Sequence, residues 1–282
     1  MRPSHQIASG RAVLAAEVSG SGAIGSGDPV IFLHANICDR RMWRDQLDAI
    51  GAGHQSIACR AIAYDRRGFG ETRAEAEEHS AVDDLMAVLD ATTEGRPAIL
   101  VGCSQGGRIA IDATLRYPAS VRGLVLISPT VTGSPEPVLP PGIAALLAQQ
   151  KDAEAAGDLD RVNAVKARLW LDGPLAPEGR VTGAARRLFL AMNGIALRAP
   201  PAGPDSDTTP DAFRRLGEIA VPALVLCGEH DFPHIRDRGR QAAALMPQGS
   251  HQVLPGTAHV PSLERPAEVT ALIAGFIARL SA

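Results

Sequence analysis

A chain of 282 residues with 45% hydrophobic side chains can bury the core of one large α/β domain carrying an insertion, or of two small domains. Its net charge of −3, the lack of any basic run and an aromatic content of only 4% argue against nucleic acid as a partner. No apolar stretch has the length of a secretory signal or a membrane span, so a cytoplasmic protein without membrane contact is expected.

The opening segments "HQIAS" and "AVLAAEV" flank Gly10 and Arg11 and predict a hairpin. A glycine-dense stretch over 20–27 lacks the Gly-Lys-Ser/Thr ending of a phosphate loop and reads as a flexible turn. Four apolar runs of strand length follow: "PVIFLH" (29–34), "AILVGC" (98–103), "GLVLIS" (123–128) and "ALVLCG" (223–228). "SIACRAIAYD" (56–65) is a fifth, less regular candidate. Continuous rather than alternating apolarity fits strands buried on both faces, as in a parallel sheet. Apolar spacings of three to four residues predict helices over 40–51, 80–94, 104–117, 236–247 and 265–280. Such strand–helix alternation gives a sheet with helices on both faces.

Residues 133–215 break this rhythm. Two Pro-rich stretches bracket helical patterns near 142–156, 158–171 and 181–197, with no strand-like run between them. We expect a helical cap over 133–215, inserted into a core domain of residues 1–132 and 216–282. Four scattered cysteines, Cys38, Cys59, Cys103 and Cys227, lack metal-type spacing and predict reduced, mostly buried thiols.

The sharpest chemical signal is "VGCSQGG" over 101–107. Gly102-Cys103-Ser104-Gln105-Gly106 fits G-x-S-x-G, with a predicted strand before it and a predicted helix after it. Side chains two positions either side of the serine would collide at so tight a turn. The turn lifts the Ser104 hydroxyl to the sheet edge, beside the positive end of a helix. A serine needs a base to take its proton, and that base needs an orienting acid. Asp231 follows the strand "ALVLCG", and His259 lies in the loop "GTAHVPSLERP" before the final helix. Glu229 is an alternative acid. Cys103 is expected to pack behind the nucleophile. His230 and His234 flank the acid, but Pro233 separates them, so no metal site is expected.

Four stretches carry a family resemblance: "FLHANICDRRMW", "YDRRGFGET", "VGCSQGG" and "LCGEHD" with "GTAHVPSLERP". Together they resemble α/β-hydrolase fold proteins of the serine-hydrolase type, in the branch holding enol-lactone hydrolases, small carboxylesterases and cofactor-free haloperoxidases. The likeness runs over nearly all of residues 10–282, apart from the insertion. It implies a mostly parallel eight-stranded sheet with helices on both faces and a helical lid. The chain order Ser104, Asp231, His259 is the order the family uses. One oxyanion donor would be the backbone of Gln105. The second would come from His34-Ala35-Asn36, where the family usually carries His-Gly; Asn36 is preferred over Ala35. His34 is expected to brace this loop through its ring nitrogens, and Asp65 with Arg66 and Arg67 to tie down the loop after its strand.

Residues beside these positions, Ile37, Phe232 and Val260, are candidates for substrate contact, with Trp170 and Met192 from the lid. The implied activity is cofactor-independent hydrolysis of a small ester, lactone or related acyl compound through an acyl-enzyme. Carbon–carbon hydrolysis of β-diketone-type substrates, perhydrolase or lyase chemistry, and a non-catalytic ligand receptor are the alternatives. A monomer and a homodimer are both compatible with the sequence.

Overall fold

The computed structural model describes residues 4–20, 28–53, 59–206 and 209–281. The glycine-dense turn beyond Gly20 lies outside the described residues, as do residues 56–58 of the fifth strand candidate.

Strands β1 (Ser4–Ser9) and β2 (Ala12–Ser19) form an antiparallel hairpin with Ser9 opposite Ala12. The sheet continues through β4 (Ala61–Tyr64), β3 (Val30–Leu33), β6 (Ala98–Cys103), β7 (Val121–Ile127), β8 (Ala223–Gly228) and β9 (Gly249–Leu254), in that spatial order. Every neighbouring pair from β4 to β9 is parallel, while β2 meets β4 antiparallel. A two-residue strand, β5 (Arg73–Ala74), pairs with β2 beside this run of eight. The mostly parallel sheet read from the sequence is thus observed.

The apolar runs are continuous because successive side chains feed two cores. Along β3, Ile31 and Leu33 enter one cluster and Val30 and Phe32 the other, all without solvent exposure. Helices α2 (Ala81–Thr92), α3 (Gln105–Arg116) and α7 (Pro233–Leu245) contribute to the first cluster. Helices α1 (Arg44–Gly51) and α9 (Pro266–Ser281) contribute to the second.

Several elements differ from the sequence reading. Residues Arg40–Trp43 form a 3₁₀ turn ahead of α1 rather than its first turn, and the Asp39 carboxylate caps that turn by accepting from the Arg41 amide at 3.0 Å. Pro233 opens α7, three residues earlier than the apolar spacing suggests; proline is well placed there because a first-turn N–H has no helical acceptor. Strand β9 gave no apolar signal, since "GSHQVL" is a half-exposed edge strand with one neighbour.

Between β7 and β8 lie α4 (Pro141–Ala155), α5 (Leu159–Lys166), a π-helical turn at Ala167–Asp172 and α6 (Gly183–Arg198). A single bridge from Asp205 to His79 is the only β pairing among the described residues of this segment. Ile143, Val165 and Leu169 pack against Phe232 and Ile235, just after β8. Ala167, Leu171, Phe189 and Met192 join the second core cluster. The inserted helices are therefore packed on the segment that carries Asp231. A short helix, α8 (Pro261–Glu264), precedes α9.

Candidate active site

Strand β6 ends at Cys103 and α3 begins at Gln105, so Ser104 alone makes the turn, at φ 53° and ψ −114°. That left-handed geometry costs a non-glycine residue of the order of 1–3 kcal/mol, and the surroundings hold it in place. The Ser104 amide donates to the Ile127 carbonyl at 2.9 Å, and its carbonyl accepts from Arg108 and Thr130 at 3.1 and 3.2 Å. The flanking glycines are steric requirements. A Cβ at Gly102 would stand 2.4 Å from the Gly106 carbonyl oxygen, and one at Gly106 2.2 Å from that of Leu33.

Past the end of β8, the chain is tied across to the histidine loop: the Glu229 amide donates to Leu254 and the His230 amide to Thr257. Asp231 and His259 are consequently brought together. His259 Nδ1 lies 3.0 and 2.9 Å from the two Asp231 oxygens, and both side chains are buried. Asp231 also accepts from the Phe232 amide at 2.8 Å. Glu229 is engaged elsewhere, accepting from the Gly256 amide at 2.8 Å. Behind the strand end, the Cys103 thiol is fully buried and contacts the His259 carbonyl at 3.6 Å. Burial, reinforced by Asp231 and Cys227, pushes that thiol well above its ordinary pKa, so it stays protonated.

Ser104 and His259 open into one cavity of about 310 Å³. Asn36, Ile37, Gln105 and Thr130 complete its sheet side, and Leu147, Gln150, Lys166 and Trp170 line it from the inserted helices. Of the substrate-contact candidates, Ile37 and Trp170 do line it. Met192 and Val260 do not: both are fully buried in the second core cluster. Phe232 is also buried and lies under the Trp170 ring, with centroids 4.4 Å apart. Val260 follows His259 on the chain, yet all three side chains serve packing rather than the cavity wall. Thr130, Leu147, Gln150 and Lys166 were missed. Thr130 was findable, two residues past the strand run "GLVLIS", whereas the other three sit in helical patterns without a motif. A separate cavity of about 260 Å³, between the Gly68–Thr72 loop and α6, has no histidine, cysteine or carboxylate on its wall.

The loop after β3 is braced by its own histidine. The buried His34 ring accepts from the Arg66 amide through Nε2 at 3.0 Å, which leaves Nδ1 to donate to the Ala35 carbonyl at 2.8 Å. Burial and the neighbouring Arg66 push its pKa well down, so the ring is a neutral brace. The Ala35 amide is occupied by Met42 Sδ at 3.5 Å, while Asn36 is exposed at the cavity rim. Asp65 accepts from the amides of Arg40 and Glu71 at 2.7 and 2.8 Å and pairs with the Arg40 guanidinium. Arg67 joins Asp84, Glu77 and the Ser9 carbonyl. Gln105 is tethered as well: its side-chain oxygen, in the orientation its neighbours require, accepts twice from Arg108 at 2.9 Å. Arg108 in turn pairs with Asp112 and Asp205.

The inserted segment holds the histidine loop directly. The His259 amide donates to the Trp170 carbonyl at 3.3 Å, and the two rings lie 4.6 Å apart. Trp170 belongs to the π-helical turn, a geometry that recurs at functional sites. Arg180 binds the carbonyls of Leu171, Asp172 and Gly256 and the carboxylate of Glu264 at 2.6–2.8 Å. Glu264 accepts from the Ala258 amide at 2.8 Å. Replacing Arg180 with Ala would leave a buried carboxylate without its cation and free the loop carrying His259. We expect a loss of about 3 kcal/mol in stability, read by urea unfolding. We also expect at least a tenfold fall in kcat with a smaller change in KM; unchanged kcat would show that the loop needs no such tie.

A model of the alpha/beta hydrolase family matches residues 30–272. The chain is 28% identical to the AB hydrolase superfamily protein YisY of Bacillus subtilis, over 90% of this chain and 92% of that protein. It is 26% identical to the pimeloyl-acyl-carrier-protein methyl ester esterase of Nitrosospira multiformis, over 90% and 96% respectively. The enol-lactonase from Burkholderia xenovorans LB400 superposes with a TM-score of 0.72 at 18% identity, covering 98% of this chain and all of that one; this shows a shared fold.

Proposed function

Because the chain belongs to the alpha/beta hydrolase family, we propose that it is a cofactor-independent serine hydrolase of small esters or lactones. One observation carries this reading: His259, paired with the buried Asp231, shares a cavity with a serine held at positive φ between two sterically obligatory glycines.

In the proposed reaction Ser104 Oγ attacks the substrate carbonyl carbon as His259 Nε2 takes the hydroxyl proton. Asp231 keeps the proton on Nδ1 and stabilises the imidazolium that forms. The oxyanion would be held by the amides of Gln105 and Asn36. Gln105 is the first residue of α3, whose N–H has no helical acceptor. Asn36 is favoured over Ala35 because the Ala35 amide is already engaged. The tetrahedral species collapses, His259 hands its proton to the leaving alcohol, and water repeats the cycle to release the acid.

Residues 133–215 would act as a cap that shapes the acyl or alcohol subsite and excludes water. Support comes from Leu147, Gln150, Lys166 and Trp170 on the cavity wall. The relative described as a methyl ester esterase fits the same substrate class. A panel of p-nitrophenyl esters, small lactones and β-diketones tests the reading. Hydrolysis of at least one ester or lactone is expected; turnover of β-diketones alone would replace it with carbon–carbon hydrolysis on the same residues.

A further inference from the structure

The chain contains 26 arginines but only two lysines, Lys151 and Lys166. Lys166 ends α5 and is the one lysine or arginine among the described residues on the wall of the Ser104 cavity. Most arginines close to the site are committed: Arg40, Arg67, Arg108 and Arg180 each pair with at least one carboxylate. Lys166 has no carboxylate within ion-pair distance among the described residues. The acidic group that acts on it, Glu154, is exposed and accepts from the Gln150 side chain at 2.9 Å.

We propose that Lys166 is a specificity residue for a free carboxylate on the substrate, so that the ester or lactone cleaved at Ser104 is a monoanion. A half-buried ammonium gives up part of its hydration, and no carboxylate among the described residues stands within ion-pair distance to replace it. Burial accordingly lowers its pKa, against the opposing pull of Glu154. A carboxylate entering the cavity restores a charge-assisted hydrogen bond. The remaining wall supports this choice, since it carries no acidic side chain to repel an anion. A volume of about 310 Å³ lies at the small end of ligand cavities and suits a short acyl chain with a second polar end.

This inference rests on the hydrolase reading, so its test uses two readouts. In the first, kcat/KM is measured for p-nitrophenyl butyrate and for the mono-p-nitrophenyl esters of succinate, glutarate and adipate. We expect at least one charged ester to be preferred by about tenfold or more, the scale of a charge-assisted hydrogen bond. That ratio should collapse toward one in Lys166→Met and return in part in Lys166→Arg. The second readout is calorimetric binding of glutarate, which needs no turnover and should weaken about tenfold in Lys166→Met. Ester hydrolysis without a preference for charged esters, or with a preference that survives Lys166→Met, overturns the carboxylate assignment alone. Lys166-dependent glutarate binding without any hydrolysis overturns the hydrolase reading and keeps the anion site; absence of both removes both.

Discussion

The Ser104→Ala protein is expected to lose at least about 10⁴-fold in kcat on any ester the parent hydrolyses, with its fold and urea midpoint unchanged. The activity loss follows because no other hydroxyl replaces the attacking group. Thr130 lines the same cavity but follows β7 rather than standing at the β6–α3 turn. The unchanged stability follows from the backbone. At φ 53° the strain arises from the presence of a Cβ, which serine and alanine share, and Ser104 holds its turn through its amide and carbonyl rather than its hydroxyl. Stopped assays on purified protein with matched far-UV circular dichroism check both halves. An alanine variant that folds normally and keeps more than a tenth of parental kcat would rule out Ser104 as the nucleophile.

The second large effect is expected at Asp231. Asp231→Asn keeps the shape of the side chain and should still lower kcat by about 10⁴-fold. In the parent, both carboxylate oxygens face His259 Nδ1, at 3.0 and 2.9 Å, and one of them also takes the Phe232 amide. That amide must be met by an acceptor, so the asparagine oxygen takes that side and its NH₂ turns toward the histidine. Nδ1 then becomes the acceptor and the ring proton moves to Nε2, the nitrogen that should remove the Ser104 proton. The variant is thus predicted to carry the wrong tautomer with nearly unchanged coordinates. Steady-state kinetics beside a nitrogen-detected spectrum of the imidazole would read rate and tautomer together. Parental kcat in Asp231→Asn would mean that the base is oriented by something else.

Much of the molecule was legible because its local signals agree. The runs "VIFL", "AILVGC" and "ALVLCG" are apolar on both faces because each strand feeds two cores, as strands of a sheet covered on both sides do. The glycines around Ser104 were readable for a steric reason that the contacts with Gly106 and Leu33 make concrete. The edge strand β9 was illegible because half of its side chains face water, so its residues carry no continuous apolar run. Cavity residues were read well only where they neighbour a motif. Ile37 faces the cavity, but Val260, equally close to a candidate catalytic residue, turns into the core. A one-residue step can reverse the side chain's direction, and sequence proximity does not say which way. Gln150, Lys166 and the Arg180–Glu264 tie depend on how the inserted helices pack, and no spacing within those helices encodes that.

The ties from Arg180 and Trp170 to the histidine loop make the inserted helices part of the site's support as well as its wall. Substitutions that repack those helices should therefore alter kcat together with substrate choice.

The most direct measurement is mass spectrometry of the intact and digested protein after exposure to a small fluorophosphonate, with Ser104→Ala alongside. A serine activated by His259 and Asp231 predicts one adduct per chain, on Ser104, and none in the variant. Turnover of an ester with no adduct on Ser104, or an adduct that persists in Ser104→Ala, would contradict the assignment of Ser104 as the base-activated nucleophile.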